Sequence, residues 1–287
     1  MFRQRGWLLL LVMPLFAITF LQVIGSIVIG RGPFMGLTQL QLQQTYGWLA
    51  SVAISGAVLY GIVRLARTVS WQQVRQLALV TVFSLMAFAT FRSAWLASFV
   101  NYDYATEYLV YAHAAPSVKR VLNDITELSL RTTDGLDMKF AYDNSVSWPY
   151  SWYFRDFTNA VFVGENPTLQ NLENAIVVVV GDDKLATVEP MLSDRYQRFR
   201  YIRMWWPMQE YFYLTPERLL NLFDFSPSNT QAAMMREGIF DIWWQRDYTT
   251  YGQATDKDFA TTRWPVSDAM YVYVRKDYAS QIWGYGV

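Results

Sequence analysis

Cysteine is absent and histidine occurs once, at His113. The first absence excludes disulfides, thiolate nucleophiles and cysteine-ligated metals. A lone histidine cannot anchor a common zinc centre without several carboxylates, and no HExxH-like spacing occurs. A Ser-His-Asp triad would have to use His113, and no Gly-x-Ser-x-Gly elbow accompanies it. A Gly-rich phosphate loop is also missing, which argues against a soluble nucleotide-dependent enzyme. The most informative shortage is local. Residues 1–100 contain no Asp, Glu or Lys, and their only charges are Arg3, Arg5, Arg31, Arg64, Arg67, Arg75 and Arg92. All 24 acidic residues therefore lie in 101–287, where the remaining 17 basic residues leave a formal charge of −7. The zero net charge of the whole chain describes neither part. No basic patch suited to nucleic acid is present.

What fills the uncharged part is apolar. Trp7 to Ile29 has the ~20 residues that cross a bilayer, is too long for a signal-peptide core and lacks a convincing cleavage site after it. Pro14 falls inside this run, where membrane helices tolerate a kink. A polar loop, Arg31 to Tyr46, leads to a second run, Gly47 to Val63, and Leu77 to about Val100 forms a third, interrupted by Arg92. The reading is three transmembrane helices in a cell membrane. Arginine placement orients them: Arg3 and Arg5 precede the first span, and Arg64, Arg67 and Arg75 separate the second from the third. The N-terminus is then cytoplasmic and the acidic C-terminal part extracytoplasmic. Arg92, toward the outer end of its span, either snorkels to the interface or faces a cavity and binds a lipid phosphate. Gly25, Gly47, Gly56 and Gly61, among others, permit close helix approach. So small a bundle suggests another transmembrane polypeptide as partner, besides the membrane lipids.

Residues 101–115 read as a membrane-proximal linker, helical or lying on the membrane, and 116–287 as the outer domain. Pro116 opens a helix to about Leu130 with Val118, Val121, Leu122, Ile125 and Leu128 as its apolar stripe. Strands are expected at Met138 to Tyr142, Val161 to Val163, Ala175 to Val180, Phe199 to Trp205 and Met270 to Val274. Helices are expected at Lys184 to Leu192, Pro216 to Phe223 and Asn229 to about Trp244. The β-branched run Ala175 to Val180 implies burial on both faces, as in a parallel sheet. The alternation gives the fold class: an α-helical membrane anchor with an extracytoplasmic α/β domain.

The chemistry concentrates in Trp148-Pro149-Tyr150-Ser151-Trp152-Tyr153-Phe154-Arg155-Asp156. Aromatic faces beside fixed polar groups suit a sugar ring or a lipid headgroup. They equally suit an amphipathic helix at a membrane surface, or a cluster covering a sheet edge with Arg155 and Asp156 as an ordinary ion pair. The pair Arg246-Asp247 repeats that ion-pair pattern. Trp205-Trp206-Pro207 and Trp243-Trp244 are further aromatic pairs that could line a groove with Trp148 and Trp152, and the chain ends in the aromatic tail Trp283-Gly284-Tyr285. Gly181-Asp182-Asp183, at the end of a strand, is either a solvated turn or a site for a divalent cation.

Asn101-Tyr102-Asp103 with Glu107 and Tyr111-Ala112-His113, the Trp148 to Asp156 run and Trp205-Trp206-Pro207 together resemble the C-terminal region of a family of large polytopic membrane proteins of archaea and green non-sulfur bacteria. That family is related to the protein O-mannosyltransferases, and some of its members are described as flippase-associated. The resemblance covers essentially the whole chain. It implies a glycosyltransferase of the GT-C type that takes sugar from a polyprenyl-phosphate donor at the outer membrane face. Trp148, Trp152, Tyr153, Arg155 and Asp156 would then contribute to a sugar or lipid-phosphate site. The usual mechanism places a carboxylate in the first outer loop, as general base or metal holder. The loop Arg31 to Tyr46 has none, and three spans stand where the family has many more. The resemblance thus implies either the C-terminal part of such an enzyme, with catalytic spans on another polypeptide, or a non-catalytic subunit of a larger membrane complex, photosynthetic or respiratory.

Overall fold

The computed structural model describes residues 6–207, 214–226 and 228–282. The aromatic tail at Trp283-Gly284-Tyr285 lies outside them. By contacts the chain divides into two compact units, Met1–Val100 with Glu210–Phe259, and Asn101–Gln209 with Ala260–Val287.

The first unit is helical. Helices α1 (Leu9–Val28), α2 (Gln39–Ala66) and α3 (Trp71–Trp95, continued as a π-helical turn to Val100) are long and apolar enough to cross a membrane. Both α2 and α3 begin earlier than their hydropathy suggests. Thr38 with Gln41, and Ser70 with Gln73, form capping boxes that start each helix in polar sequence, so the expected loop at 31–46 gives way to helix from Gln39. These helices bury little against one another: a small cluster of Leu9, Met13, Val74 and Leu77 holds one end together. Among the described residues, no neighbouring atom lies within 4 Å of where a Cβ would stand on Gly25, Gly47, Gly56 or Gly61, so these glycines mediate no close approach there.

In this unit the described part of 210–259 contributes the short α8 (Pro216–Leu222), the longer α9 (Thr230–Gln245), capped by Asn229, and α10 (Thr249–Thr255). Gly238 lets α9 lie directly on α10, since a Cβ there would fall 2.6 Å from the Tyr251 amide nitrogen. Gly30, at φ +83°, brings the chain after α1 to within contact of Ala233.

The second unit is a mixed sheet with helices on both faces. Its strands are β1 (His113–Ala114), β2 (Phe140–Tyr142), β3 (Ala160–Phe162), β4 (Val177–Gly181), β5 (Tyr196–Trp205) and β6 (Ser267–Arg275), in the order β1-β5-β6-β4-β2-β3. The helices are α4 (Pro116–Thr132), α5 (Ser147–Tyr153), α6 (Leu169–Leu172), α7 (Leu185–Leu192) and α11 (Lys276–Ile282). The valine run is buried on both faces as its composition implies. However, β4 is parallel only to β2 and pairs antiparallel with β6, so the sheet is mixed rather than parallel. Val177 and Val179 join Met270, Val272 and Val274 against α4, while Val178 and Val180 join Val188, Leu192 and Tyr271 on the other face. Fully burying each such aliphatic side chain stabilises by about 1.5–3 kcal/mol. The apolar stripe of α4 is as expected, with Val118, Val121, Ile125 and Leu128 inside.

The expected helix at 101–115 does not form. The segment turns three times, through hydrogen bonds closing onto Asn101, Tyr104 and Glu107, and then joins the sheet as β1 in the register His113↔Trp205. Asn, Asp and Tyr at its start favour turns over helix, and the edge of β5 satisfies the backbone that a helix would have satisfied internally.

Candidate functional site at the carboxyl end of the sheet

β2, β4 and β5 all run toward one edge of the sheet, and the turns that follow them carry the polar residues. After β2 the chain enters Asp143-Asn144. Asp143 is fully buried, and its carboxylate accepts the Val146 N–H at 3.0 Å and the Gly181 N–H at 3.1 Å. One side chain therefore joins the turn after β2 to the turn after β4. Burial pushes this carboxyl above the ordinary aspartate range, and the two N–H bonds offset that only in part. Gly181 is required by closeness: a Cβ would stand 2.5 Å from the Ser145 Cβ.

From this turn starts the aromatic segment, and its residues divide between two environments. Val146, Tyr150, Phe154 and Phe157 are in the core. Tyr150 stacks on Phe154 at 4.6 Å and donates its hydroxyl proton to the Val118 carbonyl at 3.2 Å. Trp148 and Trp152 point outward, 58% and 68% exposed, and Tyr153 is half-buried. The Arg155 guanidinium lies over the Trp152 ring at 4.2 Å and donates to the Trp152 carbonyl at 2.7 Å. Asp156 lies 3.6 Å from Arg155, a surface ion pair. The segment thus combines a core plug with an exposed indole–guanidinium platform. The Trp148–Pro149 peptide bond is cis.

Beside it opens a cavity of about 440 Å³ lined by Ser145, Gly181, Asp182, Asp183, Arg203 and Ser267–Ala269. Arg203 is the residue that sequence reasoning missed. It occupies a β-bulge, where the β5–β6 register shifts between Ile202 and Met204, and a bulge re-aims a side chain. From there it donates to the Asp268 carboxylate at 2.6 Å and to the Trp148 carbonyl at 2.7 Å, which ties the cavity wall to the aromatic segment. The signal lay in the strand's phase: Phe199 and Tyr201 pack on one face, and an arginine two residues further breaks that apolar alternation.

Desolvation raises the Asp183 carboxyl, but hydrogen bonds from Ser145 and Lys184, with the Lys184 charge, outweigh it and hold the group below its usual range. Asp182 and Asp183 therefore do form a polar turn, at the cavity rim. No group of three or more His, Cys, Asp or Glu side chains suited to a metal ion occurs among the described residues. The cavity offers hydroxyls, carboxylates and one engaged guanidinium, a set that hydrogen-bonds a polyhydroxylated ligand.

The other sequence candidates lie elsewhere. Trp205 is packed rather than groove-lining: its indole N–H donates to the Asp103 carbonyl at 3.1 Å and its ring stacks near Tyr104. The carbonyl of Trp206 accepts the Trp264 indole N–H at 2.6 Å. Both ring nitrogens of His113 face backbone carbonyls, Tyr102 at 3.0 Å and Glu107 at 3.3 Å, so the ring closes a turn. Trp243 and Trp244 belong to the helical unit, where the Arg92 guanidinium lies 4.0 Å above the Trp244 ring. Asp247 accepts the Thr249 N–H at the start of α10. No family model, curated protein or solved structure matches this chain.

Proposed function

We propose that this chain is the membrane-anchored C-terminal part of a GT-C-like glycosyltransferase that uses a polyprenyl-phosphate sugar donor, with the catalytic carboxylate supplied by another transmembrane polypeptide. One observation carries the reading: Trp152 and Arg155 stand exposed and mutually fixed on a segment whose packing needs are already met by Tyr150 and Phe154. An exposed indole held flat by a stacked guanidinium matches the apolar face of a sugar, and Arg155 and Asp156 match its hydroxyls or a lipid phosphate. The arginine asymmetry supports an extracytoplasmic α/β domain and a cytoplasmic N-terminus. The test is sugar transfer in the assembled complex. Trp152→Ala or Asp156→Asn reduces it roughly tenfold or more, the scale of one lost aromatic or charge-assisted contact, without changing the melting temperature. Unchanged transfer removes these residues from the site.

A second reading is favoured by Arg31. The loop between α1 and α2 presents no acid, and its one cation is already engaged by Glu237 and Asp241. A non-catalytic subunit of a photosynthetic or respiratory assembly would need nothing more there. Purification from the native membrane distinguishes the two: a polytopic partner with an acidic first outer loop supports the transferase, whereas pigment-binding or electron-transfer partners support the subunit.

A further inference from the structure

The described stretch 214–226 carries more exposed apolar surface than a water-facing segment tolerates. Leu214, Leu219, Leu220, Phe223 and Phe225 all stand out from the protein, with Leu220 at 71% and Phe223 at 70% exposure. Glu217, Arg218 and Asn221 interleave with them in α8, so this short helix mixes apolar and charged positions as an interfacial helix does.

Among the described residues, Arg236 ties it to the end of α1. Arg236 of α9 donates from Nε to the carbonyl of Val28, the last residue of α1, at 2.7 Å. The same guanidinium donates from one terminal nitrogen to the carbonyls of Leu222 at 2.9 Å and Asp224 at 2.7 Å, and lies 4.5 Å above the Phe225 ring. The end of α8 is therefore held within one arginine length of the point where the apolar helix ends. There the exposed surface of α1, through Ile24, Ile27 and Val28, is apolar, and so is that of the following loop, at Phe34, Met35 and Leu37. Ile27, Met35 and Phe225 line one common cavity, which joins the end of α1 to the turn after α8.

We propose that α8 and the turn after it are a membrane-interface element. Leu219, Leu220, Phe223 and Phe225 insert into the acyl–headgroup boundary of the leaflet that contains the end of α1, and Arg236 sets their depth. The occupant of this face is bilayer lipid, because a residue tied to the last carbonyl of a spanning helix stands at bilayer-edge level. The proposal rests on α1–α3 spanning the membrane.

The absence of cysteine makes the test direct. Leu220→Cys and Phe223→Cys are made singly in the full chain, labelled with a nitroxide and reconstituted into phosphatidylcholine–phosphatidylglycerol vesicles. Collision rates with oxygen, which partitions into lipid, are compared with those of a water-soluble nickel chelate. Phe83→Cys, exposed in the middle of α3, gives the lipid reference, and Gln170→Cys in the α/β unit the aqueous one. The expected result is oxygen-dominated relaxation at both positions, between the references and nearer Phe83. Adding Arg236→Met shifts both labels toward the Gln170 value while the Phe83 label stays unchanged, which shows the bundle intact. Nickel-dominated relaxation at 220 and 223 overturns the proposal, and so does low access to both reagents, the sign of a protein partner on this face. If the Phe83 label itself reports water, the spanning reading fails and the proposal falls with it.

Discussion

Replacing Arg31 by methionine tests how the helical unit is held together. Arg31 donates from Nε to Glu237 at 2.7 Å and from one terminal nitrogen to both Asp241 oxygens at 2.8 Å. Its side chain is 28% exposed, as is that of Glu237, whereas Asp241 is only 6% exposed. Removing the guanidinium leaves Asp241 desolvated, with Thr250 at 3.3 Å as a weak donor. Breaking a buried pair from one side costs about 3–5 kcal/mol. Partial exposure of Arg31 and Glu237 lets water replace some of the interaction, which brings the expectation to about 2–4 kcal/mol. The assay is unfolding in mixed micelles titrated with dodecyl sulfate, followed by tryptophan fluorescence. Most of this loss reflects the stranded carboxylates, so adding Asp241→Leu and Glu237→Gln to Arg31→Met restores at least about 1 kcal/mol. A single variant within about 0.5 kcal/mol of wild type, or a combined variant less stable than the single one, refutes the argument that these groups are coupled.

Two further outcomes concern the sheet edge. Because desolvation raises the Asp143 carboxyl above its unfolded value, the native state holds that proton over a pH window where the unfolded chain has lost it. Stability associated with Asp143 is then present below the ordinary carboxylate range and lost as pH rises through the raised value. The stability of Asp143→Asn relative to wild type should accordingly improve from about pH 4 upward and level off above the window, on top of a constant penalty for one stranded N–H. A difference flat in pH would contradict this. Gly181→Ala drives a methyl into the Ser145 Cβ, 2.5 Å away, and should cost about 1–3 kcal/mol by overpacking. The pair with Ser145→Gly should recover part of it in thermal melts, and no recovery would place the strain elsewhere.

The features legible in the sequence were those with a local physical cause. The three long apolar helices, the apolar stripe of α4 and the valine strand follow from periodicity and run length. Their boundaries did not, because capping boxes at Thr38 and Ser70 extend helices into polar sequence that hydropathy excludes. Strand direction was not legible either. A doubly buried valine run is compatible with parallel or antiparallel neighbours, and only the tertiary pairing of β4 with β6 decides it. Within the candidate site, the aromatic segment was visible as composition. Its division into a core face and an exposed face depends on where Phe140 and Val118 lie, which no window of nine residues contains. Arg203 escaped because its role depends on a bulge, and the broken alternation that signals it acquires meaning only once β5 is known to be a strand.

The charge split of the chain has a folding consequence. A segment whose helices are apolar enough to span a bilayer cannot carry acids cheaply, so arginines in residues 1–100 have no local counterions. Two of these arginines find partners on α9 instead: Arg31 pairs with Glu237 and Asp241, and Arg92 lies on Trp244. α9 is roughly 140 or more residues downstream of both, with the whole first part of the α/β unit intervening in sequence. The helical unit therefore cannot be completed until that later segment is made, and its contacts with α9 are inherently long-range. This explains why composition assigned 210–259 to the domain it follows, while contacts assign it to the helices. It also follows that a fragment ending at Val100 would keep the Leu9–Val74 cluster at one end of the bundle but leave Arg31 without its carboxylates at the other.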